Sequence, residues 1–449
     1  MKNMTGSVLA GAFAVGISAT AAFAGSISQE TLDDQNAMKY TGGDSSYDTS
    51  LTNATRWTAN SGSVITPQTM ADPMNPNPAA ANCLYVVKSG EFRTFKDPHG
   101  KISQSGQPLF VGGKEWHVAG KLTEAASYAA EPTCFPPISF YDGSKMGVNT
   151  SIGLTNTAIN VRSGTGNPFT IEAAGQSCRF DYCSFKGTAA SGMKLGNSGT
   201  DMSKGMTFYV KESDFSAFSG KIILNASTAV RATTTFVVEA GELSFPGGID
   251  INVNALAKTR SAEVCEVSTV TCQSNATLQV GGDGKWGIKT LTVNDVATLS
   301  YQAVSQDETP CIAVTDSVTW PAGKKVKVDF TVASGLTRVP LLRFGPNVTT
   351  MMTKDMFKLA ESDTLMFEVV SDELGQTLYA NRIETVSMVK TDGGEPFALS
   401  PTGGVHWSDG EAVSGGKAYV VGQNMTLNMN STHLGKADYV FPGYQLNPK

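Results

Sequence analysis

Residues Asn275 to Tyr301 read NATLQVGGDGKWGIKTLTVNDVATLSY, and the stretch repeats itself: Ala276-Thr277-Leu278-Gln279-Val280 returns 21 residues later as Ala297-Thr298-Leu299-Ser300-Tyr301. A further step of 21 reaches Val318-Thr319-Trp320, and another reaches Val339-Pro340-Leu341. Steps backwards reach Ala257, Phe236 and Phe215, so seven apolar residues share one phase. Inside the stretch Leu278 and Val280, Trp286 and Ile288, Leu291 and Val293, and Leu299 and Tyr301 are each two apart, the period of a strand with one buried face. The alternation stops at Gly281-Gly282-Asp283-Gly284, changes parity between Ile288 and Leu291, and stops again at Asn294-Asp295. Gly, Asn and Asp are the residues that corners favour. Three short strands per turn follow, with Leu278, Leu299 and Trp320 stacked in one interior column. The expected fold is all-β, a single-stranded parallel β-helix (β-solenoid) with turns of about 21 residues. Tandem β-sandwiches are the alternative; they also give short alternating strands but do not require a fixed period.

Outward from this stretch the chain divides into four parts. Residues 1–24 carry Lys2, an apolar run from Val8 to Ile17 and Ala22-Phe23-Ala24, the pattern of a secretory signal peptide cut before Gly25. The run is too short for a membrane helix, and no later stretch is long and apolar enough to be one. Residues 25–81 are polar, with Met70 to Pro78 as an irregular loop and only Trp57 expected to be buried; this segment is a candidate cap for the open end of a solenoid. Residues 82–400 form the solenoid. Its expected strands include Leu84 to Val87, Leu109 to Val111, Ile222 to Leu224, Phe236 to Val238, Lys325 to Val332 and Leu365 to Val370, and Met352 to Leu359 is expected as a helical turn or two outside the coil. At 20 to 25 residues per turn, about 300 residues give roughly 12 to 15 turns and a rod roughly 60 to 70 Å long. Residues 401–449 read as the start of a second, incomplete unit. Tyr419-Val420-Val421 and Tyr439-Val440-Phe441 echo Tyr85-Val86-Val87 and Leu109-Phe110-Val111, with Trp407 and Trp57 upstream, so the chain is expected to be a fragment of something longer whose open last turn invites end-to-end self-association.

The charge balance is mildly acidic. Without Lys2, 33 basic residues face 40 acidic ones, which disfavours nucleic acid and anionic lipid as partners. The seven cysteines are Cys83, Cys134, Cys178, Cys183, Cys265, Cys272 and Cys311. Either Cys178 pairs with Cys183 and Cys265 with Cys272 in an oxidising compartment, or several are small buried hydrophobes. The four histidines, at 99, 117, 406 and 433, are scattered, and no zinc spacing occurs.

No residue is assigned a catalytic, cofactor or metal role. The best charged group is Arg179 with Asp181, two apart on one strand face, with Phe180 and Tyr182 on the other; an exposed ion pair is the plain reading. Glu239 and Glu242 are three apart around a glycine and point opposite ways, a poor acid and base pair for glycoside cleavage. Gly281-Gly282-Asp283-Gly284 occurs once, so it reads as a corner rather than a calcium turn. Asp97-Pro98-His99-Gly100 is likewise a turn.

The signal peptide, GKWGIKTLTVNDVATL from Gly284 to Leu299 and AYVVGQNMTLNM from Ala418 to Met429 resemble the exported bacterial proteins that carry autotransporter-type β-strand repeats. The resemblance covers residues 82–449 in style and Asn275 to Tyr301 in motif. It implies a right-handed parallel β-helix displayed outside the cell and serving in adhesion, in matrix or as a carrier of other modules. The sequence departs from it at Asn447-Pro448-Lys449, where self-exporting proteins end in a membrane barrel with a terminal aromatic residue, so self-export is not expected. The expected function is a secreted or surface-displayed, adhesin-like scaffold without catalysis, meeting glycans or cell-surface and matrix components. The alternatives are a polysaccharide-cleaving enzyme, lyase or glycoside hydrolase, and a carbohydrate-binding module that uses Trp116 or Trp407.

Overall fold

The structure, a computed structural model, describes residues 25–40, 57–61, 83–94, 109–110, 113–124 and 133–148, then 153–382 apart from short breaks, and beyond them the strands at 384–390, 405–407, 417–421 and 439–442. The chain is all-β with long parallel sheets, an arrangement compatible with a β-solenoid. From Leu84 onward successive strands join three sheets in rotation: Leu84–Val87 lies in sheet 1, Glu91–Thr94 in sheet 2 and Leu109–Phe110 in sheet 3, and Glu115–Val118 returns to sheet 1. Sheet 1 has eight strands, sheet 2 fourteen and sheet 3 eleven. At about 4.8 Å per strand, sheet 3 measures roughly 50 Å along the stack and the thirteen-strand path of sheet 2 roughly 58 Å, close to the lower end of the length expected from the sequence.

Turn length is not constant along the chain. In sheet 3 Phe236, Ala257, Leu278 and Leu299 pair in register at steps of 21 residues, and all four are buried. The next partner of Leu299 is Val328, 29 residues on, and the partner preceding Phe236 is Phe208, 28 residues back. Trp320 and Phe215 therefore leave the column assigned to them. Trp320 sits at the corner before Val326–Val332, its ring 5.3 Å from Phe357 and its Nε1 donating to the Met356 carbonyl at 3.2 Å. Phe215 stacks on Phe185 at 4.0 Å inside sheet 1. Leu341 belongs to Arg338–Phe344 of sheet 2.

Why the central turns are short is visible at sheet 2. Strand Val264–Cys272 pairs through Val267 with Phe245 and through Val270 with Ile249. It thus spans both sides of the corner that Pro246-Gly247-Gly248 makes one turn earlier. Lys285–Val293 lies on it in register, Ile288 on Val267 and Leu291 on Val270. The parity change between Ile288 and Leu291 is this bend, and the stretch is one nine-residue strand rather than two short ones.

A second corner is built from buried hydroxyls. Asn156, Tyr182 and Glu212 have φ of 48°, 57° and 49°, and each is followed by a small inward group: Thr157, Cys183 and Ser213. Thr157 Oγ1 donates to Thr155 O at 3.0 Å and accepts the Phe135 N–H at 3.0 Å. Ser213 Oγ donates to Phe180 O at 2.9 Å and accepts the Cys183 N–H at 3.0 Å. These contacts satisfy backbone groups that the corner takes out of the sheet ladder. Tyr182, at positive φ, turns outward and is 53% exposed, so it does not share the buried face of Phe180 as its spacing suggested.

Both ends of the stack use antiparallel pairing. Ala37–Tyr40 lies parallel to Leu84–Val87, with Trp57–Ala59 antiparallel beyond it. Trp57 is buried, as are Ile27, Ala37, Met38 and Tyr40, which the polar composition hid. Trp57 meets Tyr85 edge-on at 5.3 Å, and Tyr85 stacks on Trp116 at 4.5 Å. At the other end Gly375–Arg382 pairs antiparallel with Arg338–Phe344, and Leu365–Asp372 pairs antiparallel outside it. Met352 to Leu359 contributes a single 3-10 turn, Lys354–Met356, and then a strand, Phe357–Lys358, that joins sheet 3 through Val326 rather than lying outside the stack. Past the hairpin, Glu384–Lys390, Lys417–Val421 and Tyr439–Pro442 pair in parallel, with Thr385 on Ala418 and Ala418 on Tyr439. Glu384–Lys390 thus groups with the strands after 401.

The N-terminal segment runs back over the outside of sheet 1. The Gly25 N–H donates to Arg162 O at 3.1 Å and the Asp142 N–H to Gly25 O at 3.3 Å. Ile27 then packs with Val86 and Tyr141, and the short helix Gln29–Asp33, capped by Ser28, leads to Ala37. Leu84–Val87 and Ile138–Phe140 are consequently buried on both faces, whereas Ala158–Val161 alternates.

Candidate functional sites

Two polar groups lie on the outer faces. The first is on sheet 3, around the pair singled out from the sequence. Arg179 and Asp181 do share a face, with Nε 3.4 Å from Asp181 Oδ2. The closer partner is Glu239, whose Oε2 lies 2.5 Å from Arg179 Nη2. Arg179 reaches it across the intervening strand Met206–Lys211, with its guanidinium carbon 5.1 Å from the centre of the Tyr209 ring. Burial pulls the guanidinium pKa down, but the bonds to Glu239 and Asp181 outweigh it and the net direction is up. One cation is thus held by two carboxylates across three strands. Such a clamp ties strands together, at about 1 kcal/mol or less per part-exposed pair. Glu242 stands exposed beyond the Gly241 corner and takes no part.

The second group was missed. His117 Nδ1 is 2.9 Å from Tyr141 Oη, its Nε2 is 3.7 Å from Glu115 Oε2, and Ser139 Oγ donates to Glu115 Oε1 at 3.0 Å. Burial lowers the His117 pKa, with Glu115 opposing and Arg162 assisting, and burial raises that of Tyr141. A Glu, His and Tyr relay is chemically capable of proton transfer. Here it lies under the N-terminal segment: His117 is 5% and Tyr141 4% exposed, so no polymer reaches it while the segment is in place. The only trace in the sequence is the alternation of polar with apolar residues in Glu115-Trp116-His117-Val118 and Ser139-Phe140-Tyr141.

The remaining candidates resolve simply. At Gly281 to Gly284 the chain turns a corner: the Gly284 N–H bonds to Gly281 O at 3.0 Å, a Cβ on Gly284 would come within 2.5 Å of Thr259 O, and the Asp283 carboxylate accepts the Ser305 hydroxyl. Among the described residues no group of three or more His, Cys, Asp or Glu could hold a metal ion, and no helix is long and apolar enough to cross a membrane. Trp116 is fully buried, which removes it as a sugar-stacking surface. The side chain of Trp407 and the turn at Asp97 to Gly100 lie outside the described residues.

None of the seven cysteines is in a disulfide, and six of them are buried. Cys265 and Cys272 stand near opposite ends of one strand, and Cys178 and Cys183 on either side of the Tyr182 corner, so neither local pair has the close Cα approach a disulfide needs. Burial pushes the Cys272 and Cys183 thiols up to about 12, which makes them packing groups rather than nucleophiles.

No protein-family model matches the chain, and no curated protein or solved structure matches it either.

Proposed function

We propose that the chain is an exported β-solenoid serving outside the cell as a non-catalytic scaffold of the autotransporter-repeat type, in contact with glycans or other surface and matrix components and able to associate end to end. The observation that carries this reading is the state of Arg179. A uronate-cleaving site needs a basic residue open to substrate, and this one is closed by Asp181 and Glu239. Most of the buried apolar residues, by contrast, join into one core cluster that runs from Met38 to Ala380. A rigid column with a modestly charged exterior suits display and spacing.

The test is to incubate the purified protein with uronate-containing and neutral glycans and assay for reducing ends and unsaturated products. No turnover is expected. Steady turnover that disappears in Arg179→Ala or Asp181→Ala would overturn the scaffold reading in favour of a polysaccharide-cleaving enzyme. Saturable glycan affinity without turnover would favour a carbohydrate-binding module.

A further inference from the structure

Hydrolysis of the Ala24–Gly25 peptide bond by an export peptidase breaks the C–N bond, leaves water's oxygen on the Ala24 carboxylate and gives Gly25 a free α-ammonium. We propose that this new terminus is a structural group with its own seat, the corner that follows the neighbouring strands Ile138–Phe140 and Ala158–Val161, where the Arg162 carbonyl and the Asp142 carboxylate receive it. The proposal rests on the export reading. Its geometry is already present: the Gly25 nitrogen is 3.1 Å from Arg162 O, and Gly25 O accepts the Asp142 N–H at 3.3 Å. Asp142 Oδ1 accepts the Gly164 N–H at 2.6 Å, which fixes the carboxylate in the same corner. Two residues on, Ile27 is 7% exposed against Tyr141 and Val86, so the chain enters the seat from an anchored position.

Before cleavage Gly25 offers one N–H, and Arg162 O takes it. After cleavage the same nitrogen carries three donors and a positive charge beside an acidic residue. A charge-assisted hydrogen bond is about twice as strong as a neutral one, so cleavage tightens the segment at its free end. What it tightens is the cover over His117, Ser139 and Tyr141. The Arg162 guanidinium, exposed and 5.9 Å from the centre of the Tyr141 ring, is the nearby like charge against which Asp142 must act.

The experiment compares three forms released from a cytoplasmically produced fusion by a site-specific protease: one starting at Gly25, one starting at Ala24, and the Gly25 form acetylated on its amine. The Gly25 form is expected to melt about 2 °C or more above the other two and to exchange the Asp142 amide more slowly. Asp142→Asn is expected to shrink the gap between free and acetylated forms while leaving the far-ultraviolet dichroism unchanged. Equal melting and exchange in all three forms, or a gap that Asp142→Asn leaves intact, overturns the proposal. Because none of these forms is exported, that failure leaves the export reading standing. Export is tested separately by the N-terminal residue of chain recovered outside producing cells: Gly25 supports it, and Met1 overturns it.

Discussion

Val296 holds a backbone conformation that its side chain resists. Its φ is 62° and it is 61% exposed, so nothing in the packing compensates the strain of a β-branched residue in the left-handed region. The register that places Leu256 on Thr277 and Thr277 on Thr298 puts Asn254 and Asn275 at the same corner in the two preceding turns, both with φ of 60°. Asparagine tolerates this region because its short polar side chain bonds locally. Val296→Asn is therefore expected to stabilise the protein by about 1 kcal/mol, read as a higher midpoint in chemical denaturation at unchanged slope. A lower midpoint would refute the account. Corners were the least legible feature of the sequence. Asn254 and Asn275 announce theirs, but Tyr182 and Val296 do not, and Tyr182 breaks the alternation that placed it inward with Phe180. The Thr157, Cys183 and Ser213 ladder was hidden for the same reason: three different residue types do one job at unequal spacing.

At the scale of the strand, the 21-residue period was legible where corners are short and illegible elsewhere. It holds from Phe236 to Leu299, where Val264–Cys272 and Lys285–Val293 bend around a corner instead of looping. It fails at Trp320 because additional corner residues stretch that turn to 29. Arg179 and Glu239 could not be matched from the sequence, since 60 residues and two long turns separate them. The column itself is testable within one strand. Leu299 is fully buried between Leu278 and Val328, whereas Thr298 is part-exposed beside Thr277 and Lys327. Leu299→Asp is expected to cost several kcal/mol, because an unpaired carboxylate would be buried. Thr298→Asp should cost well under 1 kcal/mol, since it faces solvent next to a lysine. Equal losses in urea denaturation would refute the assigned inward and outward faces.

For the whole molecule, the stack's two ends differ in how they end. Near its start the aromatic rings of Trp57, Tyr85 and Trp116 fill the interior, and the N-terminal segment covers sheet 1 from outside. At the far end of sheet 2, Leu365–Asp372 is the edge strand, and Gly375–Arg382 is its only strand partner among the described residues. It is eight residues long; Leu365 and Val369 pack against the core, and Met366 and Val370 are part-exposed. Leu374 in its turn is 60% exposed, and Met351, next to the Met352 N–H that bonds Gln376, is 73% exposed. A long edge strand offers another chain its outward amides and carbonyls, although here the Phe367 N–H is already taken by Glu361 Oε1 at 3.0 Å, and natural edges are blunted by charge, above all lysine. The proposed end-to-end association should use this edge, because it is eight residues long, whereas the first strand of sheet 2, Glu91–Thr94, has only four. Val370→Lys puts a lysine on that edge on the face opposite the buried Phe367: Val370 is part-exposed and pairs with Thr377. Sedimentation velocity over a concentration series should show wild-type protein moving towards larger species and Val370→Lys remaining at the monomer value, with melting temperatures within about 2 °C of each other. Association that persists undiminished in Val370→Lys would place the contact elsewhere, and a wild-type chain that stays monomeric throughout would remove end-to-end assembly from the proposed function.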